Sequence, residues 1–308
     1  MADIYKIAYL RDKYLPIEEA NLSIASSPVL YGLSTYTVMP VFWDKTKKQL
    51  NMFRLNDHFT RLQNSSKILG FNDFLSNWNQ KKFASVITKL LKDNNIKADC
   101  LVRATIFVDG ILAGTKMVDI PHKLAIFVYP MTQLLPKTGA SLMVSSWRRT
   151  ADNAIPARAK VNGSYVNSAL MKNEALQLGF DDAIALDDQG HVTESTVSNI
   201  FLVRGGQLIT PSTATDLLEG LTRDTVFNLA HGLGIICQER VIDRSELYLA
   251  EEIFLSGSSM SISPVISVDK RGVGNRKLGT ITKKLISAYD NLVHAKTQDK
   301  YKWLDAVY

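Results

Sequence analysis

Ten residues near the middle of the chain, Pro130 to Gly139 (PMTQLLPKTG), hold two prolines and a glycine and show no hydrophobic period. Proline fixes φ and removes a backbone donor, and glycine widens the accessible backbone. Neither a helix nor a central strand is expected to run through such a stretch. A chain of 308 residues broken there leaves two parts, each close to the roughly 150 residues of a typical domain. The expected division is a smaller N-terminal α/β domain at 1–130, a linker at 131–137 and a larger C-terminal domain at 138–308.

The hydrophobic pattern on each side predicts an α+β chain. Residues 50–54 (LNMFR) read as a short strand. Residues 56–69 (NDHFTRLQNSSKIL) read as a helix capped by Asn56 or Asp57, with Phe59, Leu62 and Leu69 roughly on one face. A second amphipathic helix is expected at 82–92, then strands at 101–108 (LVRATIFV) and 123–129 (KLAIFVY). Beyond the break, 140–147 (ASLMVSSW) predicts a strand and 167–179 a helix closed by Gly179. DAIALDDQGHV and NIFLVRGGQLI each set two apolar runs about a turn, and Gly205-Gly206 is a hairpin signal. Residues 222–234 read as a helix with Thr222 as its cap, EEIFLSGSS and ISPVISVD as strands, and 280–295 as a closing helix.

Composition excludes several classes. Apolar residues are 46% and charged residues 21%, so disorder is not expected. Thirty-six basic against 30 acidic residues give +6, but the basic residues are scattered, which argues against nucleic acid. The densest run, Lys45, Lys47 and Lys48, reads as a solvated turn. The excess favours small anionic ligands. Lys6, Arg11, Asp12 and Lys13 interrupt any signal-peptide core, and no run approaches ~18 apolar residues. A cytoplasmic location without membrane contact is expected. Cys100 and Cys237 form no CxxC pair, and the five histidines lack metal-ligand spacing, so no metal is expected. Gly272-Val273-Gly274 with Gly279 has the wrong spacing for a dinucleotide loop, and 257–261 lacks the second glycine of a nucleophile elbow.

Residues 145–168 (SSWRRTADNAIPARAKVNGSYVNS) carry more chemistry. Lys160 stands between Ala159 and Val161 and just before an Asn162-Gly163 turn. An amine desolvated among small and apolar neighbours loses its proton more easily and attacks carbonyls. Tyr165 follows at the start of a helix, and Glu194 sits in a polar break between strands. EGLTRD (219–224) and LSGSS (255–259) supply hydroxyls and N–H groups, and Leu221-Thr222 opens a helix, a ready anion site. Arg61 lies on the second turn of the 56–69 helix. A carbonyl-reactive lysine, a carboxylate for a ring nitrogen, a phenol and a phosphate cup together suit pyridoxal 5′-phosphate. Trp147 and Trp303 read as packing residues.

With these residues quoted, the chain resembles the class IV (fold type IV) aminotransferases, which share the D-amino acid aminotransferase-like fold. Among them it is most similar to the branched-chain amino acid aminotransferases. The resemblance runs over nearly the whole chain, through YG at 31–32, NDHFTRLQNSSKI at 56–68, 145–168, EALQLGFDDAIALDDQG at 174–190, SNIFLVRGGQLITP at 198–211, LLEGLTRD at 217–224, YLAEEIFLSGSS at 248–259 and DKYKWLD at 299–305. It implies two domains, the larger with a β-barrel-like sheet core. It implies that Lys160 carries the cofactor as an aldimine and shuttles the substrate proton, that Glu194 keeps the pyridine nitrogen protonated, and that Tyr165 bonds the phenolic oxygen. It further implies that Arg61, the N–H groups of Leu221 and Thr222, and the Ser258 hydroxyl hold the phosphate. Ser259 would face substrate, and Tyr31 would come from the neighbouring subunit of a homodimer or larger assembly.

The match departs from the family where substrate is held. The branched-chain enzymes usually carry phenylalanine-glutamate-glycine-x-arginine after the YG pair; here Tyr36-Thr37-Val38-Met39-Pro40 stands instead. Leu101 replaces a tyrosine, and Ser198 replaces a second glutamate. Arg103 is retained and can read a carboxylate. Val38 and Pro40 are similar to the (R)-selective amine transaminases. The expected reaction is ping-pong transfer of an amino group from a hydrophobic, branched-chain amino acid to a 2-oxo acid such as 2-oxoglutarate. An (R)-amine or D-amino acid transaminase is the alternative, with aminodeoxychorismate lyase behind it.

Overall fold

The computed structural model describes residues 4–308. The chain forms two compact units, which do not follow chain order. The first takes the described residues up to Met131, then Ala159–Gly163 and Leu292–Tyr308; the second takes Thr132–Arg158 and Ser164–Asn291. The break falls within the proline-containing stretch, but 159–163 and 292–308 had been expected in the C-terminal domain. Long-range pairing, described below, places them in the first unit.

The first unit is built on seven strands. They include β1 (Ile7–Leu10), β2 (Lys13–Pro16), β3 (Ser34–Asp44), β4 (Gln49–Phe53), β5 (Cys100–Val108) and β6 (His122–Pro130). A short strand at Leu304–Ala306 lies beyond β4, and the order continues β4-β3-β5-β6-β1-β2. Helices α1 (Ser27–Tyr31), α2 (Leu55–Leu69), α3 (Asn72–Asn77) and α4 (Gln80–Asp93) join it. Side chains alternate across a strand, so Met39 and Val41 of β3 and Val102, Ala104 and Ile106 of β5 share one face. That face buries Phe59, Leu62, Phe74, Phe83 and Ile87 from the helices, and Phe71 from the link between α2 and α3, in one apolar cluster. Each such side chain contributes about 1.5–3 kcal/mol when fully buried. The opposite face of β3 and β5 is thereby left for other work.

Helix α2 begins one residue earlier than expected and is not capped by Asn56 or Asp57. Arg54 is its N-cap, in the left-handed region at φ 56°. The Arg54 guanidinium bonds Asp57 at 2.6 Å and lies over the Trp303 ring. Trp303 packs as expected, edge-on to Phe53 and stacked on Tyr301.

The second unit holds a mixed sheet of nine strands: β7 (Ala140–Arg148), β8 (Asp182–Leu186), β9 (Val192–Ser195), β10 (Asn199–Arg204), β11 (Gln207–Pro211), β12 (Cys237–Arg240), β13 (Glu252–Gly257), β14 (Ser261–Val268) and β15 (Arg271–Gly272). The order is β12-β11-β10-β13-β14-β7-β8-β9, with β15 beside β14. Gly205 and Gly206 both take positive φ, 55° and 71°, in the tight β10–β11 turn, the conformation a two-residue hairpin demands. Helices α5 (Tyr165–Gln177) and α6 (Leu221–Gly232) belong to this unit, and α7 spans Thr280–Val293. The cap of α6 is Gly220, not Thr222. Trp147 is half exposed rather than a packing residue. No helix among the described residues is long and apolar enough to cross a membrane.

Candidate active site

Lys160 is delivered to the first unit by backbone pairing. Its carbonyl accepts from the Tyr36 N–H at 3.0 Å and from Thr35 Oγ1 at 2.9 Å. The Asn162 N–H donates to the Ser34 carbonyl at 2.9 Å, and Thr35 and Val161 form an antiparallel bridge. The stretch 159–163 thus runs beside the first residues of β3, where β4 has not yet begun to pair. Close approach requires glycine here. Gly32 has φ 68°, and a Cβ on it would stand 2.9 Å from Gly163 Cα. With its backbone fixed, Lys160 sends Nζ over the Tyr36 ring, 5.1 Å from the centroid.

Helix α2 adds two side chains to the same unit. Arg61 Nη2 donates to Thr37 Oγ1 at 3.0 Å, and His58 Nδ1 lies 2.7 Å from that oxygen. His58 is 1% exposed. Burial first, and then the nearby charges of Arg61, Arg54 and Lys160, hold its pKa well below the ordinary histidine value. The imidazole is therefore neutral at pH 7, with three cations around it. Such a region attracts a small anion.

The residues expected at the substrate share one sheet face. Val38 pairs with Arg103 and Pro40 with Leu101, so Tyr36, Val38, Pro40, Leu101 and Arg103 point the same way, opposite to the helical core. Phe127 and Tyr129 of β6 extend the face through their pairing with Arg103 and Leu101. Arg103 lies over the Tyr36 ring, its guanidinium carbon 3.6 Å from the centroid, and donates to Asn162 Oδ1. Tyr31 stands apart as the last residue of α1, 46% exposed.

The second unit builds a different group around Glu194, on β9. The carboxylate is buried. Oε1 pairs with Arg149 Nη2 at 2.9 Å. Oε2 accepts from Asn199 Nδ2 at 3.2 Å and the Leu218 N–H at 3.4 Å. Arg149 is oriented in turn by donating Nε to the Asp216 carbonyl at 3.1 Å. Sequence reasoning gave Arg149 no role. It is one of two adjacent arginines in SSWRRT, and nothing local distinguishes them.

Asn199 also fixes the start of α6. A Cβ on Gly220 would meet Asn199 Oδ1 at 2.0 Å, so a side chain at the cap would have to displace the Asn199 amide. Leu221 and Thr222 are the first residues of the helix, where N–H groups have no acceptor within it. Across the sheet Asn199 pairs with Ser256, whose buried Oγ has no partner among the described residues. Ser258 and Ser259 follow in the β13–β14 turn. Gly257 closes on the loop after Glu194, since a Cβ there would lie 3.3 Å from Ser198 Cβ. Tyr165 is the first residue of α5.

In the second unit a buried carboxylate paired with an arginine, a helix N-terminus with a glycine cap and a buried hydroxyl, and in the first unit a lysine and an arginine, are the groups that suit pyridoxal phosphate. The comparisons with known proteins point the same way. A model for class IV aminotransferases matches residues 34–268. The chain is 37% identical over 303 residues, 98% of it and 96% of its relative, to a probable branched-chain-amino-acid aminotransferase of Aquifex aeolicus. The crystal structure of the Escherichia coli branched-chain amino acid aminotransferase superposes with a TM-score of 0.94 at 32% identity, covering 100% of both chains. That of Thermobaculum terrenum, in its PLP-bound holo form, gives 0.93 at 29% identity over 99% of each. The chain belongs to the class IV aminotransferases and has their fold type IV architecture. Its relatives at this level are branched-chain enzymes, which does not favour the (R)-amine or lyase alternatives.

Proposed function

We propose that this chain uses pyridoxal phosphate to transfer the amino group of a branched-chain or related hydrophobic amino acid to a 2-oxo acid such as 2-oxoglutarate. The observation that carries the substrate class is the face formed by Val38, Pro40 and Leu101 around one fixed guanidinium, that of Arg103. Apolar walls favour aliphatic side chains, and a single oriented guanidinium reads a carboxylate. Similarity to branched-chain enzymes supports the same reading.

Pyridoxal phosphate, when bound, supplies a ring that accepts electron density from the substrate α-carbon. Lys160 would hold the cofactor at its aldehyde carbon and would move the proton at the substrate α-carbon. Glu194, paired with Arg149, would hold the proton at the ring nitrogen. Tyr165 donates to the phenolic oxygen. Arg61, the Leu221 and Thr222 N–H groups and the Ser258 hydroxyl bind the phosphate, with Ser259 on the substrate side. Donor and acceptor use this machinery in turn, which is ping-pong kinetics.

A homodimer fits the exposed apolar set Ile24, Val29, Leu30, Tyr31, Ile111 and Leu112. The two loops are tied by the Ser26–Ile111 bridge. A second copy covering this set would bring Tyr31 to substrate. Work on free amino acids and oxo acids suits the cytoplasm. The test is the absorbance change of the holoenzyme with single donors. Leucine converts the cofactor band and (R)-1-phenylethylamine does not; the reverse result overturns the substrate class.

A further inference from the structure

Thr37 lies at a junction that the reaction as described leaves unused. It is 1% exposed on β3, on the face turned toward α2, and pairs with Ala104. Its hydroxyl meets Arg61 Nη2 at 3.0 Å and His58 Nδ1 at 2.7 Å.

A guanidinium only donates hydrogen bonds, so Thr37 Oγ1 accepts from Arg61. The hydroxyl proton then needs its own acceptor in a buried place, and His58 Nδ1 is there to receive it. A neutral imidazole that receives at Nδ1 carries its proton on Nε2. Burial and three surrounding cations keep His58 in that neutral form. The chain of bonds therefore runs one way, from Arg61 to Thr37 and from Thr37 to His58.

We propose that Thr37 is a positioning residue for the cofactor phosphate: its hydroxyl, held by His58, sets the direction of the Arg61 guanidinium before any anion arrives. The proposal rests on the reading that Arg61 binds the phosphate. Three features favour this role. The hydroxyl orients Arg61 without cancelling its charge, as a carboxylate would. A β-branched side chain has few χ1 states, so the acceptor is itself fixed. Arg61 is a long side chain, and ordering its guanidinium before the anion arrives strengthens binding.

The experiment is a double-mutant cycle on cofactor affinity. Apoenzyme is titrated with pyridoxal phosphate by absorbance, and inorganic phosphate is used as a competitor. T37V weakens cofactor and phosphate binding about tenfold, the scale of one hydrogen bond to a charged group. T37S, which keeps the hydroxyl, recovers most of the loss. R61A weakens binding further, and T37V adds nothing in the R61A background. Thermal midpoints of the apoenzymes separate these effects from folding damage. If T37V does not fold, T37C repeats the cycle with a poorer acceptor. The proposal is overturned if the Thr37 effect persists without Arg61, if T37S behaves as T37V, or if T37V binds normally. If R61A itself binds normally, the phosphate role of Arg61 falls first and the proposal falls with it.

Discussion

Arg149 and Glu194 form a buried ion pair, Nη2 to Oε1 at 2.9 Å, with both side chains largely sequestered from water. The remaining carboxylate oxygen is covered by Asn199 and the Leu218 N–H. Removing one partner of such a pair leaves an uncompensated charge and costs about 3–5 kcal/mol, whereas removing both costs much less. Arg149→Met is therefore expected to lower stability by about 3 kcal/mol, and R149M with E194Q to recover much of it. Denaturant unfolding of the four apoproteins measures the cycle. A double variant no more stable than R149M would show that the pair is not the source.

Lys160→Ala is expected to abolish transamination and the trapping of cofactor by borohydride while leaving the fold intact. The pairing of the 159–163 stretch with β3 uses its backbone, the Lys160 carbonyl included, and not the amine. Circular dichroism checks the fold, and mass spectrometry after reduction checks the adduct. An adduct at full yield in K160A would move the carbonyl-reactive lysine elsewhere.

Gly220→Ala tests how tightly Asn199 is set. The new methyl would stand 2.0 Å from Asn199 Oδ1, so the amide must move and weaken its bond to Glu194. Overpacking of this kind costs about 1–3 kcal/mol, more than a glycine-to-alanine change at an ordinary cap. The thermal midpoint should fall, and apoenzyme titrated with pyridoxal phosphate should bind it more weakly. An unchanged midpoint would mean that Asn199 has room to yield.

Glu246 supplies the pH dependence. Bonds from Arg240 and then Arg204 hold its carboxyl at about 2, below its ordinary 4.5. A carboxyl depressed on folding stabilises the protein above its unfolded pKa, and that stabilisation is lost as pH falls through the folded value. Glu246→Gln should therefore lower the thermal midpoint most above about pH 4.5, and the gap to the parent should close toward pH 2. A gap that widens in acid would reverse the sign of the linkage.

Much of the fold was legible because period and punctuation agreed. The helices at α2, α4, α5 and α6 and the strands β4 to β11, β13 and β14 follow from apolar spacing and from turn signals such as Gly205-Gly206. β3 was not read as a strand. Its residues are nearly all buried, so no alternation shows, and Pro40 argues against a central strand. The structure resolves the conflict by placing Pro40 just before β4 begins to pair, at Val41. The caps were missed for local reasons: Arg54 caps α2 through an unusual left-handed backbone, and Gly220 caps α6 where a side chain would have to displace the Asn199 amide. The chemistry-bearing residues of the candidate site were visible as types in order. Their supports were not, because Arg149 reaches Glu194, Thr37 reaches Arg61 and Lys160 reaches Tyr36 across long stretches of chain.

The pairing of 159–163 with β3, and of Leu304–Ala306 with β4, orders events during synthesis. The first strands to leave the ribosome belong to the sheet that is completed last. One of its supports is made at 159–163 and another at 304–306. Of the second unit's strands, β7 emerges before the first of these points and β8–β15 between the two. Until residues 304–306 are made, the open flank of β4 has no mate, and an unpaired edge is where nascent chains associate wrongly. Removing the strand at 304–306 would therefore harm the unit whose other strands were made first, rather than the one made just before.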